Sequence, residues 1–432
     1  MPVAIGQFWI AGYGSSPQRG TLTYLPDGSK PTLRVDGPIV ESDYFGTVEQ
    51  QVESFAPRTI LGCLESGDDV TLLSAQGKSD PFGGAQEFSA RHLVIGVHLK
   101  SGTENSFIGI RLLLGPKSCW RHLGGTAHQF EMGELLAVES QRGMWLEFNG
   151  IAQTSIQQLN INIKLAVRVL IELATTSRAA GSAIEYRSVA DGPWLQVFTA
   201  ERRDQEFGVC PDPLSLRRLL TLQRFASWIE ACEKLDGLAL PVGSLPDSVP
   251  IESQVLTYVS VAEGLHRRLA DRPRFPGLTG ARIAKIRREA RKAGTAQFIA
   301  ADDQQKADMD KFFADVLNEK IFNQLPYGIR IEELLKCAQE AVPDIVSTYP
   351  DWLKAVKDTR NRLAHQLEWR DRLQSDTALD RMIAVSTSLR WVLRVVLLRV
   401  AGLGDDELRA GIQSSDFYRF YLSNLKQLSS LD

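Results

Sequence analysis

Cysteine is scarce and scattered in this chain. The five residues, Cys63, Cys119, Cys210, Cys232 and Cys337, are odd in number, and no two stand in a C-x-x-C spacing. No zinc ribbon is readable, a disulfide scaffold is disfavoured, and a reducing cytoplasm fits best. A long apolar run is also missing. The most apolar stretch, Leu389 to Leu403, is interrupted by Arg390, Arg394 and Arg399. It is too short and too charged for a bilayer span. The opening residues lack a basic segment followed by an apolar one, so no signal peptide is read. Strong charge of one sign is absent as well. With a net charge of -3, any contact with nucleic acid has to come from a local patch. Phosphate-loop, nucleophile-elbow and H-E-x-x-H motifs are lacking, and Gly83-Gly84 and Gly124-Gly125 read as turns. The expectation is a cytoplasmic protein with no membrane contact, no cofactor and no metal.

What is present divides into two halves. The 432 residues suggest two or three domains at roughly 150 residues each. Of the 34 glycines, 23 lie in residues 1–200, and this half reads as strands. Thr21 to Leu25 and Thr32 to Val35 flank Pro26-Asp27-Gly28, the pattern of a hairpin. Further strands are expected over Thr59 to Leu64, Val70 to Leu73, His92 to Leu99, Phe107 to Leu114, Met144 to Phe148 and Trp194 to Phe198. Ile161 to Leu173 has every odd position apolar and reads as a long strand. Residues 1–200 are therefore expected to form an all-β, sandwich-like or barrel-like domain.

The period changes near residue 212. Pro213 to Leu235 reads as a helix and Leu238 to Pro250, with three prolines, as a loop. Residues 201–250 thus form a helix and linker. Residues 251–432 read as an all-α bundle, with helices over Glu252 to Ala270, Thr279 to Ala293, Gln304 to Phe322, Ile329 to Ala341, Tyr349 to His365, Ser375 to Val400 and Ser415 to Leu428. Basic residues gather between Arg272 and Phe298. Arg288, Arg291 and Lys292 share one helical face, with Lys285 a turn back. That face suits a phosphate backbone or, equally, a solvated helix surface.

One octapeptide carries chemistry: Asp358-Thr359-Arg360-Asn361-Arg362-Leu363-Ala364-His365. Arginine, a polar residue and then histidine four to six positions on is the pattern of HEPN ribonucleases. Spacing alone is weak, since roughly one chance match is expected in a chain of this composition. Arg91 with His98, and Arg121 with His128, share the spacing, but both fall in the β-rich half, and they are followed by His92 and His122 and not by asparagine. In the third match, Trp352, Leu353, Val356 and Leu363 mark an apolar arc, and Arg360 falls inside it. A guanidinium in a core-facing position requires a polar or anionic neighbour. The alternative is an arginine extending out along the helix, with His365 an ordinary C-terminal residue. On a regular helix Arg360 and His365 point about 140° apart. Two copies at a twofold axis would bring both to one phosphate, which predicts a dimer with a shared cleft.

The chain resembles the ApeA-like HEPN proteins of bacterial phage defence. Leu256 to Arg268 is similar to their first HEPN helix, and Val356 to His365 to their active-site helix. Gly6-Gln7-Phe8-Trp9 with Gly20-Thr21-Leu22, and Ile60-Leu61-Gly62 with Val70-Thr71-Leu72, are similar to the opening of their β domain. The resemblance implies a metal-independent endoribonuclease that damages host RNA, tRNA included. It implies a catalytic pair in Arg360 and His365, with Asn361 as polar partner, and a β domain that senses infection or restrains the nuclease. A phage-encoded activator or inhibitor is an implied partner. Asp358 and Glu263 are candidates for supporting roles. Glu263 lies on a mostly apolar helix, where a buried carboxylate would want a partner such as Arg360; a surface position is the alternative.

Two rival readings stand beside this one. The helical bundle can be a non-catalytic dimerisation scaffold, with a β domain that binds a phage protein or another ligand. Alternatively the chain is half of a toxin–antitoxin pair, against which its large N-terminal domain argues.

Overall fold

A computed structural model describes residues 3–12, 16–24, 29–39, 56–78, 84–99, 107–176, 183–199, 212–244, 248–297, 303–317, 323–365 and 376–429. The chain divides into two compact units, residues 1–233 with 401–403, and residues 234–400 with 404–432.

The first unit is built on strands β1 (Val3–Ile10), β2 (Gln18–Thr23), β3 (Thr32–Val35), β4 (Arg58–Leu64), β5 (Asp69–Lys78), β6 (Gln86–Ser89), β7 (His92–Ile95), β8 (Gly109–Gly115), β9 (Ala127–Phe130), β10 (Gly133–Ser140), β11 (Gly143–Asn149), β12 (Ile184–Arg187) and β13 (Leu195–Thr199). The pairings run β4-β1-β2-β3-β6-β5, and β5 returns to β4, closing a six-stranded antiparallel ring. Closure removes the free edges that open sheets must protect. Alternate residues fill its interior. Phe8 and Ile10 of β1, Leu22, Leu33, Val35, Ile60, Val70, Leu72 and Phe88 form one buried cluster. Gly62 is required here, because a Cβ at this position would run into the Phe8 ring. Beyond β5 the order continues β7-β13-β12-β8-β11-β10-β9.

The expected hairpin is present: β2 and β3 pair from Gly20↔Val35 to Thr23↔Thr32, while its turn at 25–28 lies outside the described residues. The expected strand over His92 to Leu99 ends at Ile95. The expected strand over Ile161 to Leu173 is overturned. Helix α1 (Lys117–Trp120) precedes β9; after β11 come α2 (Ile156–Leu159), a π-helical turn (Asn160–Lys164) and α3 (Leu165–Thr175). Odd-position alternation misled because the even positions Ala166, Leu170 and Ala174 are also apolar and buried. A segment whose apolar residues fit both periods is a helix as readily as a strand, and its length favours the helix. Ser155 caps the start by accepting from Gln158 N at 3.1 Å. Arg168 and Glu172 pair at i, i+4, 2.9 Å apart.

Helix α4 (Leu222–Leu235) follows, then α5 (Leu240–Ser244) inside the stretch expected as loop. The second unit is helical: α6 (Ile251–Ala270), α7 (Gly280–Ala296), α8 (Asp303–Val316), α9 (Tyr327–Ala341), α10 (Trp352–His365), α11 (Asp376–Val400), α12 (Asp405–Ser414) and α13 (Asp416–Ser429). Each expected helix has a counterpart; the expected end at Phe322 lies outside the described residues. The short α12 was not anticipated. Its start is marked by Gly404, whose N–H donates to Glu407 Oε2 at 2.8 Å. The α11 helix is the core of this unit, with Val385, Leu389, Val392, Leu393, Val396 and Leu397 buried on several sides. Trp391 meets the rings of Tyr418 and Tyr421 at 5.2 Å each. Among the described residues, no helix is long and apolar enough to cross a membrane.

Candidate active site

Helix α10 carries the octapeptide. At its start the buried Trp352 indole donates to Ser388 Oγ on α11 at 2.7 Å. Val356 is fully buried one turn on, and Thr359 is buried next. The buried arc thus runs Trp352–Val356–Thr359, with Leu363 half-buried on the same line. Arg360 sits at the edge of that arc and is half-buried, a correction to its expected core-facing position. Thr359 takes the inward place, and the long arginine stem reaches the rim.

The group that meets the Arg360 guanidinium is an aromatic face. Its Cζ lies 5.1 Å from the ring centroid of Tyr327, the first residue of α9. Nη1 also donates to Asn361 Oδ1 at 3.2 Å. The α9 and α10 helices come close at Gly328, where an added Cβ would lie 3.1 Å from Lys357 Cδ. Among the described residues no carboxylate forms an ion pair with Arg360. Its charge is steered by a ring face and an amide oxygen, and neither neutralises it.

Tyr327 is the residue that sequence reasoning missed. Its hydroxyl is buried and has no hydrogen-bond partner among the described residues. Burial pushes the phenol well above its ordinary range, opposed by the nearby Arg360 charge and reinforced by Glu263. Arg360 and Glu263 therefore both lie within electrostatic reach of one phenol. Glu263 itself is half-buried and accepts from Arg267 Nη2 at 2.7 Å, one turn along α6. Its ion-pair partner is thus Arg267 and not Arg360. No local spacing announces Tyr327, since 33 positions separate it from Arg360 in the sequence.

The remaining candidates are placed as follows. Asn361 is exposed beside Arg360, and Asp358 is half-buried on the flank of α10. His365 is the last residue of α10; its side chain lies outside the described residues. Lys285, Arg288 and Lys292 are exposed on α7. Arg291 is engaged, with Nε donating to Asp310 Oδ1 of α8 at 2.5 Å and Nη2 to the other carboxylate oxygen. This two-pronged contact holds the α7–α8 pair together.

A second polar cluster lies between α6 and α9. The buried His266 donates from Nε2 to Glu333 Oε2 at 2.6 Å, and Arg272 bonds the other Glu333 oxygen. These partners, His266 first, hold the Glu333 carboxyl below its ordinary range. Neither His266 nor Glu333 stands out by spacing; their pairing arises only when α6 meets α9.

The family described as Apea-like HEPN matches residues 256–407, and ApeA N-terminal domain 1 matches residues 4–115. No curated protein and no solved structure gives a significant match. The first match contains α9, α10 and the Arg360 site; the second contains the closed ring of strands. With an ApeA N-terminal domain 1 followed by an Apea-like HEPN domain, the chain belongs to the ApeA-like HEPN defence proteins.

Proposed function

We propose that this protein is an endoribonuclease of bacterial phage defence that cleaves host RNA, tRNA included, at a site built from Arg360, Asn361 and His365. The observation that carries this reading is the state of Arg360. Its guanidinium is positioned by Tyr327 and Asn361, and no carboxylate among the described residues neutralises it. A fixed, uncompensated, forked cation suits the non-bridging oxygens of a phosphate.

RNA brings its own nucleophile, the 2′-OH. Cleavage then needs a base for that proton, an acid for the leaving 5′-oxygen, and positive charge at the phosphorane. His365 performs the proton transfers near neutral pH. Arg360 stabilises the phosphorane. Asn361 shares a helix face with His365 at i, i+4 and orients it or the phosphate. In this scheme the reaction requires no metal. Arg360 and His365 diverge on one helix, so the working site combines residues of two copies, one histidine acting as base and the other as acid.

The test is to incubate the purified protein with total RNA in EDTA beside Arg360→Ala and His365→Ala, and to map the ends. Fragments with 2′,3′-cyclic phosphates from the parent protein alone, and intact DNA, are the expected result. Loss of cleavage on chelation, cleavage of DNA, or undiminished cutting by both variants would overturn the reading.

A further inference from the structure

We infer that the outer face of the strand ring holds a zinc-type cation site formed by Cys63, Asp69 and His98. Cys63 on β4 and Asp69 on β5 are direct antiparallel partners. The β7 strand pairs with the other edge of β5, Ile95 opposite Val70, and His98 follows three residues later. Three neighbouring strands thus deliver a thiol, a carboxylate and an imidazole to one place. Cys63 Sγ lies 3.0 Å from Asp69 Oδ1, His98 Nε2 lies 3.5 Å from the same oxygen, and all three ligand atoms fall within 4.8 Å of one another. Donors around a tetrahedral zinc ion stand about 3.3–3.6 Å apart, so small side-chain rotations suffice.

The fold builds this placement. The buried Thr71 hydroxyl donates to Val97 O at 2.7 Å and accepts from Leu99 N at 3.0 Å, so the chain on both sides of His98 is pinned across β5. The rings of His98 and Trp9 of β1 meet in a T-shape, with centroids 5.3 Å apart. The inward neighbours Gly62, Leu64 and Val70 are buried, while Cys63 is exposed and Asp69 half-buried. The site therefore opens to solvent, which leaves room for water as a fourth ligand.

The donor set selects the ion. A thiolate and an imidazole favour zinc over magnesium or calcium, which take oxygen ligands. Without an ion, the Cys63 thiol donates its proton to Asp69 Oδ1 in a hydrogen bond. Binding displaces that proton, as coordination to thiolate demands. It also exchanges the His98 Nε2 contact with Gly62 O, 2.9 Å long, for the ion. Spacings of 6 and 29 residues between the three ligands match no sequence motif for zinc.

The test is a cobalt(II) and zinc(II) titration of the full-length apoprotein. It is run beside Cys63→Ser, Asp69→Asn, His98→Ala and the Cys63→Ser/His98→Ala double variant. One cobalt per chain is expected, with near-ultraviolet sulfur-to-cobalt absorption that disappears in Cys63→Ser. Asp69→Asn and His98→Ala are expected to weaken binding by at least about tenfold, and zinc to raise the melting temperature of the parent protein only. The readouts are independent of nuclease activity. Should Cys63→Ser fail to fold, His98→Ala carries the same comparison. Parent and folded ligand variants binding cobalt within twofold of one another would overturn the assignment.

Discussion

Two arginines, one in each unit, show opposite uses of the same side chain. Arg111 on β8 lies between Glu147 and Glu185, its register partners on the flanking strands. It donates to Glu147 at 3.1 Å and to Glu185 from Nε at 2.7 Å, and it stacks against Trp145 and Trp194 at 4.4 and 4.9 Å. Every face of that guanidinium is satisfied, and two carboxylates oppose its charge. Arg360 also rests on an aromatic ring, yet no carboxylate among the described residues pairs with it. The aromatic contact is common to both; the counter-charge is not. An arginine surrounded by acids cements a sheet, whereas one held only by neutral groups keeps its charge for an anion.

The largest effect expected from this contrast is catalytic. His365→Ala should reduce RNA cleavage by about 100-fold or more, measured under single-turnover conditions, with little change in thermal stability. Mixing His365→Ala protein with the parent protein, with exchange of copies, should lower activity by more than simple dilution, because a mixed pair keeps only one of the two histidines of the shared site. Activity that falls only in proportion to the parent fraction would count against the shared cleft.

Arg111→Ala should behave in the opposite sense. It leaves the buried Glu147 without its cation and Glu185 with Arg142 alone, 3.6 Å away, which costs about 3 kcal/mol, read by denaturant unfolding of the first unit. Arg111→Ala with unchanged unfolding would show that the acids find other partners.

Glu333→Gln removes the carboxylate that meets His266 and Arg272. A loss of about 1.5–3 kcal/mol is expected. The carboxyl is held below its ordinary range, so its contribution is present above the unfolded value. It disappears as the pH falls through the lower folded value. Stability curves of parent and variant should therefore converge on acidification; parallel curves would exclude this linkage. Tyr327 gives the smallest and most discriminating contrast. Tyr327→Phe keeps the ring under Arg360, so the cation–π contact survives, whereas Tyr327→Ala should lower cleavage about tenfold. Equal loss in both variants would point to the hydroxyl.

Much of this was legible in the sequence, for identifiable reasons. The β2–β3 hairpin and, α12 apart, the helices from Ile251 onward follow from local period, and local period is what a sequence displays. Arg360, Asn361 and His365 stood out because helix spacing and chemistry coincide within eight residues. The Ile161 to Leu173 segment failed because its apolar residues cover both periods; Ser155 and Gln158, a capping pair just upstream, were the overlooked signal. Tyr327 and the Cys63–Asp69–His98 group were invisible for another reason. Their partners meet only through helix packing and strand register, which no short window contains.

The most direct test of the central claim is to measure cleavage and melting on the same Arg360→Ala preparation. The account predicts a rate lower by about 100-fold or more with a melting temperature close to that of the parent protein. Full cleavage by Arg360→Ala, or a loss of cleavage that appears only with loss of the folded state, would contradict it.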